Sequence, residues 1–197
     1  AGFDPKDVRW IVTSHEHFDH VGGLATLKQA TGAKVVARTE AAPVLRSGKV
    51  SAADPQAQEI QGFAAVKPDH VMKAGKVLHA GPLRLTMIAT PGHTEGSTSW
   101  TWTSCEGADC RKFTYLDSIS ALPLGTYRFA DHPERIAMFR QTFDLIDNMD
   151  CGVVLTPHPS VSAMAERMSG AEPLQEEEDC RVIVRSARAR LDTVLLP

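Results

Sequence analysis

The chain of 197 residues lacks any apolar stretch approaching the ~18 residues that a bilayer-spanning helix needs, which excludes a helical membrane segment. It also lacks an excess of one charge. Lysine and arginine number 21 against 24 aspartates and glutamates, a net charge of -3 with the two signs intermixed, and this points away from a nucleic-acid partner. Glycine and proline are not inflated and apolar residues make up 43%, so collagen-like, fibrous and disordered classes drop out. No internal repeat or low-complexity tract is present, and the length suits one domain. A secretory leader of basic, apolar and small residues is missing too. Ala1-Gly2-Phe3-Asp4-Pro5-Lys6-Asp7 instead runs straight into the strand-like Val8–Thr13, so the chain reads as one entered partway through a fold.

Cysteine is scarce. None of Cys105, Cys110, Cys151 and Cys180 forms a C-x-x-C pair, which argues against a zinc ribbon or a thioredoxin-like centre. Cys105 and Cys110 flank a polar Glu106-Gly107-Ala108-Asp109 turn between two strand-like segments. A disulfide closing that turn in an oxidising compartment and four free thiols in a reducing one both fit the spacing.

What is there reads as a mixed α/β chain whose strand ends repeatedly feed polar loops. Val8–Thr13 is a buried strand, and Gly22-Gly23 opens a helix over Leu24–Ala30 stopped by Gly32. A strand over Lys34–Ala37 and a short helix over Glu40–Arg46 follow, then an irregular surface loop from Ser47 to Pro68. Lys76–His79, Leu83–Ala89, Ser97–Thr103 and Arg111–Leu116 are strands separated by turn residues. Pro133–Asp147 is helical, with Ile136, Phe139, Phe143 and Ile146 on one face. Gly152–Leu155 is another buried strand. Ser160–Met168 is a helix with Ser160 as its N-cap, and Gln175–Leu191 a helix with acidic residues early and arginines late, as the helix dipole favours.

Three of the eight histidines fall in His15-Glu16-His17-Phe18-Asp19-His20, directly after a buried strand. On an extended backbone His15 and His17 project together, and Asp19 and His20 turn toward a neighbouring point. Neutral imidazoles with one carboxylate are natural zinc ligands. His93, in Pro91-Gly92-His93-Thr94-Glu95-Gly96-Ser97, and His158, in Thr156-Pro157-His158-Pro159, sit in rigid loops after apolar strands. His70, His79 and His132 lack such settings and read as surface or packing residues. Five histidines and an aspartate are too many donors for one tetrahedral zinc, and they divide into two sites of three with positions open for water. That arrangement implies hydrolysis without a protein nucleophile.

The H-x-H-x-D-H run, the P-G-H-T-x-G-S loop and the late T-P-H closely resemble the metallo-β-lactamase superfamily, an αββα sandwich with a dinuclear zinc site at one edge between the sheets. Gly96-Ser97-Thr98-Ser99-Trp100-Thr101-Trp102 and Tyr115-Leu116-Asp117-Ser118-Ile119-Ser120-Ala121 are most similar to subclass B3. The resemblance implies one domain over residues 1–197 without the N-terminal strands of the first sheet. It implies two zinc ions, the first on His15, His17 and His93 and the second on Asp19, His20 and His158. A zinc-bound hydroxide oriented by Asp19 would be the nucleophile. Ser118 and Ser120 would hydrogen-bond the carboxylate of a small-molecule β-lactam, and Asp117 would support the ligands from behind. In glyoxalase II a comparable aspartate bridges the metals, so a lactonase or thioesterase is the alternative. The resemblance further implies disulfides Cys105–Cys110 and Cys151–Cys180, a periplasmic or secreted location, a role in antibiotic resistance, and no nucleic-acid or membrane partner.

Overall fold

The computed structural model describes residues 2–175 and 179–196. Among the described residues, eight strands and six α-helices follow one another as β1 (Trp10–Val12), α1 (Phe18–Val21), α2 (Leu24–Thr31), β2 (Lys34–Arg38), α3 (Ala42–Ser47), β3 (His70–Met72), β4 (Val77–Ala80), β5 (Leu83–Ala89), β6 (Thr98–Glu106), β7 (Asp109–Tyr115), α4 (Pro133–Asp147), β8 (Val153–Leu155), α5 (Met164–Ser169) and α6 (Asp179–Val194). They form two sheets. In the first, β1, β2 and β3 run parallel with β2 in the middle. In the second, β4 to β7 form an antiparallel meander, and β8 adds parallel to β7.

The two sheets face each other through one apolar layer built from Val36, Leu78, Met87 and Trp100, with Trp10, Val12 and Leu85 against it. Trp100 crosses that layer, and its indole Nε1 donates to the carbonyl of Thr13 at 3.0 Å, fixing the end of β1 against the second sheet. Outside the first sheet, Val21 and Leu24 of the first two helices pack with Val35, Ala37 and Leu45. Outside the second, Phe139, Phe143 and Ile146 of α4 pack with Val154 and with Val184 and Leu191 of α6. The architecture is the αββα sandwich, with helices on both outer faces.

All four cysteines are paired. Cys105–Cys110 links directly opposed residues at the β6–β7 hairpin tip, and Cys151–Cys180 ties the start of β8 to α6.

Three expectations need correction, and one short strand carries no sequence signal. The segment 47–68 is irregular but not a surface loop throughout, since Asp54, Gln56 and Val66 are buried. His70–Met72 is a strand, though only three residues long and paired with β2 alone. Ser160 caps no helix. Pro159 starts a 3-10 turn through Ser162, and α5 begins only at Met164 after Ala163 in a left-handed conformation (φ 48°). The last helix runs on to Val194, and Glu176, Glu177 and Glu178 of its expected acidic start lie outside the described residues.

Candidate metal centre

The parallel strands of the first sheet and β5 and β8 of the second end at the same edge, and the loops beyond them carry the chemistry. After β1 the chain runs on to His17, whose own extended backbone (φ -80°, ψ 154°) caps α1, and Asp19 and His20 follow in the first turn of that helix. His93 follows β5 in a loop where Gly92 adopts φ 141° against the ring of Phe139. A Cβ there would lie 2.6 Å from that ring, so the bend that aims His93 requires glycine. His158 follows β8, held by the Thr156 hydroxyl donating to its carbonyl at 2.8 Å.

The structure brings all six residues together in two groups of three. Ligand atoms of His15, His17 and His93 lie within 4.8 Å of one another, as do those of Asp19, His20 and His158. The rings of His15 and His20 join the groups, their centroids 3.9 Å apart. The first group is buried, whereas Asp19 and His158 open to solvent, their side chains 60% and 51% exposed.

In the first group each imidazole has one nitrogen spoken for. His15 Nδ1 donates to Asp117 Oδ1 at 2.7 Å. His17 Nε2 sits 3.2 Å from both oxygens of Asp54. His93 Nδ1 donates to the carbonyl of Ser120 at 2.8 Å. Each bond fixes the tautomer and leaves the other nitrogen's lone pair facing the group, the arrangement that supports metal-binding histidines.

Two ring nitrogens, one from each group, are not satisfied within the protein. His15 Nε2 and His20 Nε2 are buried without a hydrogen-bond partner, although His20 Nε2 lies 3.0 Å from Asp19 Oδ2. Such orphaned acceptors cost free energy unless something occupies the space between them. A divalent cation meets that need, and N/O donors in threes suit zinc.

Electrostatics agree. Burial first, then the neighbouring histidines, pushes His15 well below its usual range, and burial lowers His93 to about 3. Burial also lowers His20. These imidazoles are therefore neutral, as ligands must be. Burial pushes Asp19 upward, but His20 and a backbone hydrogen bond outweigh it and hold the carboxyl below its ordinary range.

Ser118 and Ser120 line a cavity of about 510 Å³ that also includes His93, Asp117 and His158. Asp117 is fully buried, and burial raises its pKa. Its Oδ2 accepts from Thr98 N at 3.3 Å while its own N–H donates to Ser99 Oγ at 2.9 Å. His70 packs against Trp10, His79 against Arg84 and His132 against Tyr127, all apart from the two groups.

The family model of the metallo-beta-lactamase superfamily matches residues 1–106. The chain belongs to the metallo-β-lactamase superfamily. Among solved structures, the metallo-β-lactamase MIM-1 from Novosphingobium pentaromativorans is 45% identical, with TM-score 0.94 over 98% of this chain and 71% of that one. MEM-A1, a subclass B3 metallo-β-lactamase from a soil metagenome library, is 33% identical, with TM-score 0.93 over 98% of this chain and 76% of that one. Among curated proteins, the hydroxyacylglutathione hydrolase of Mesorhizobium japonicum is 26% identical over 183 residues, covering 84% of this chain and 59% of that protein. The chain spans between half and three fifths of the length of the first such hydrolases it matches.

Some residues of the site had no place in the sequence reading. Asp54 lies in an aperiodic segment, and its one local signal is a turn in which Gln56 N donates to Asp54 Oδ1 at 2.8 Å. Glu16 is buried between the two histidines, its Oε2 accepting from Thr94 Oγ1 at 2.5 Å, and burial raises its pKa to about 7. Arg38 donates to the carbonyl of Glu95 and to Glu40. Together these contacts bind the His15–His20 loop to the His93 loop.

Proposed function

We propose that the protein is a zinc-dependent hydrolase that opens the β-lactam ring, with residues 1–197 forming one metallo-β-lactamase domain. His15, His17 and His93 hold a first zinc, and Asp19, His20 and His158 a second. Zinc in this donor set supplies a water of near-neutral pKa and a Lewis acid for the carbonyl oxygen. Asp19, with its carboxyl held below the usual range, stays ionised and offers the acceptor that orients the attacking water. Ser118 and Ser120, on the cavity wall beside His93, hydrogen-bond the substrate carboxylate. Asp54, Asp117 and the Ser120 carbonyl keep the three first-site imidazoles in the ligating tautomer.

One observation carries the β-lactam reading over its rival. Both oxygens of Asp117 face protein donors, His15 Nδ1 and Thr98 N, in a support role rather than that of a metal bridge. The likeness to MIM-1 and MEM-A1 supports the same reading. A thioester hydrolase is the second reading, favoured by the hydroxyacylglutathione hydrolases among the relatives. The two disulfides support a periplasmic or secreted location.

Steady-state assays of the zinc-loaded protein with benzylpenicillin and with a hydroxyacylglutathione thioester separate the readings. β-Lactam turnover that dominates thioester turnover is the expected result. Thioester hydrolysis without β-lactam hydrolysis would replace the first reading with the second.

A further inference from the structure

Helix α4 presents Arg135, Phe139 and Thr142, spaced i, i+4 and i+7, on one buried face. All three meet the loop that delivers His93. Thr142 Oγ1 donates to the Pro91 carbonyl at 2.6 Å, and the Phe139 ring sits where a Cβ on Gly92 would fall. Arg135 Nη1 donates to the Gly92 carbonyl at 3.4 Å.

Arg135 also reaches a second loop. Its Nη2 donates to the carbonyl of Ala53 at 3.0 Å, directly before Asp54. Asp54 in turn faces His17 Nε2 with both carboxylate oxygens. One guanidinium therefore joins the loop carrying His93 to the turn that orients His17, across 43 and 82 residues of sequence.

Arg135 is only 5% exposed. Burying a guanidinium costs free energy that an apolar residue at the same helix position would not incur. Its planar fork, however, spans two carbonyls at once, which an apolar side chain cannot do. Close packing does not wedge the turn in place. A cavity of about 250 Å³ lies against it, lined by His17, Asp54, Glu16 and Arg135 among others, so Asp54 has room to retreat. The far side of the same segment is tied in another direction, Leu124 N donating to the Pro55 carbonyl and Gln58 pairing with Thr126. Arg135 supplies the tie toward the His93 loop.

We infer that Arg135 is a positioning residue for the first metal site: by clamping the Ala53 and Gly92 carbonyls it sets the separation of His17 and His93, and with it how tightly that site holds its ion. The inference rests on the metal-site reading above and extends it to a residue on α4, outside both ligand triads.

The test measures zinc affinity of each site by chelator competition in the wild type and in Arg135→Met, Arg135→Lys and Val184→Ala. Val184 is a fully buried residue of α6 in the core beneath α4, so its truncation destabilises the fold without touching either loop. In Arg135→Met, first-site affinity falls about tenfold while the second site stays within about twofold. Arg135→Lys, which keeps the cation but not the fork, loses about threefold. Val184→Ala lowers Tm and leaves both affinities unchanged. Imidazole 1H–15N spectra of the zinc-free protein make the same comparison without metal. The His17 Nε2–H signal, sharp in the wild type, broadens in Arg135→Met and not in Val184→Ala. Equal first-site affinity in the wild type and Arg135→Met overturns the inference, as does an equal loss in Val184→Ala. Where Arg135→Met does not fold, Arg135→Lys decides, and wild-type affinity in that variant overturns the inference. A wild type that binds no zinc, with a His17 signal that still depends on Arg135, sinks the metal-site reading and leaves the clamp standing.

Discussion

His15 Nδ1 lies 2.7 Å from Asp117 Oδ1, and both side chains are sealed from solvent. This contact spans 102 residues of sequence and joins the first sheet to the second directly behind the candidate metal. Asp117→Ala removes the acceptor that sets the His15 tautomer. Affinity of the first site for zinc should fall about 10- to 100-fold, read by competition with a chromogenic chelator. Unchanged affinity would mean that Asp117 does not support His15 as a ligand.

The six-residue donor set predicts a pattern of loss. His93→Ala and Asp19→Ala each abolish turnover, because each removes one of three ligands in a group. His70→Ala leaves turnover intact, since His70 sits on β3 against Trp10, with ring centroids 5.1 Å apart. Full turnover by Asp19→Ala would refute the division into two sites.

Gly96 predicts a steric effect within the loop network. A Cβ there would lie 1.8 Å from Glu16 Oε1 and 2.7 Å from the Ala41 Cα, and backbone cannot step aside. Gly96→Ala should cost about 1–3 kcal/mol, lowering Tm by several degrees. Gly23→Ala, with nothing within 4 Å, should stay within about 0.5 kcal/mol. Thermal unfolding of the two variants side by side checks the contrast.

The disulfides should differ in worth. Replacing Cys151 and Cys180 by alanine opens a loop of 29 residues and should cost about 3–4 kcal/mol, against about 2 kcal/mol for Cys105 and Cys110, five residues apart. Denaturant melts of the two double variants give the order. An equal or reversed order would show that α6 is held by packing rather than by the bridge.

How much of this was legible depends on pattern. Leu83–Ala89 and Pro133–Asp147 were readable to the residue, because period-2 and period-3.6 patterns run through them between turn residues. The histidine run was readable because alternate residues on an extended strand end must share a side. Asp54 was not readable, since its approach to His17 depends on how an aperiodic segment closes in space. Nor was the burial of Glu16, because a charged residue is ordinarily surface and only the Thr94 hydroxyl reveals the exception. The β3 strand escaped for a third reason: three residues with one partner are too few for a period.

Two triads that hold two metals fix how much zinc survives dialysis, and metal analysis of the dialysed protein reads that number. The protein should retain about two zinc ions per chain, and His158→Ala about one, with the first site kept because its three ligands lie elsewhere. Retention of one zinc by the unaltered protein, or of none, would contradict the claim.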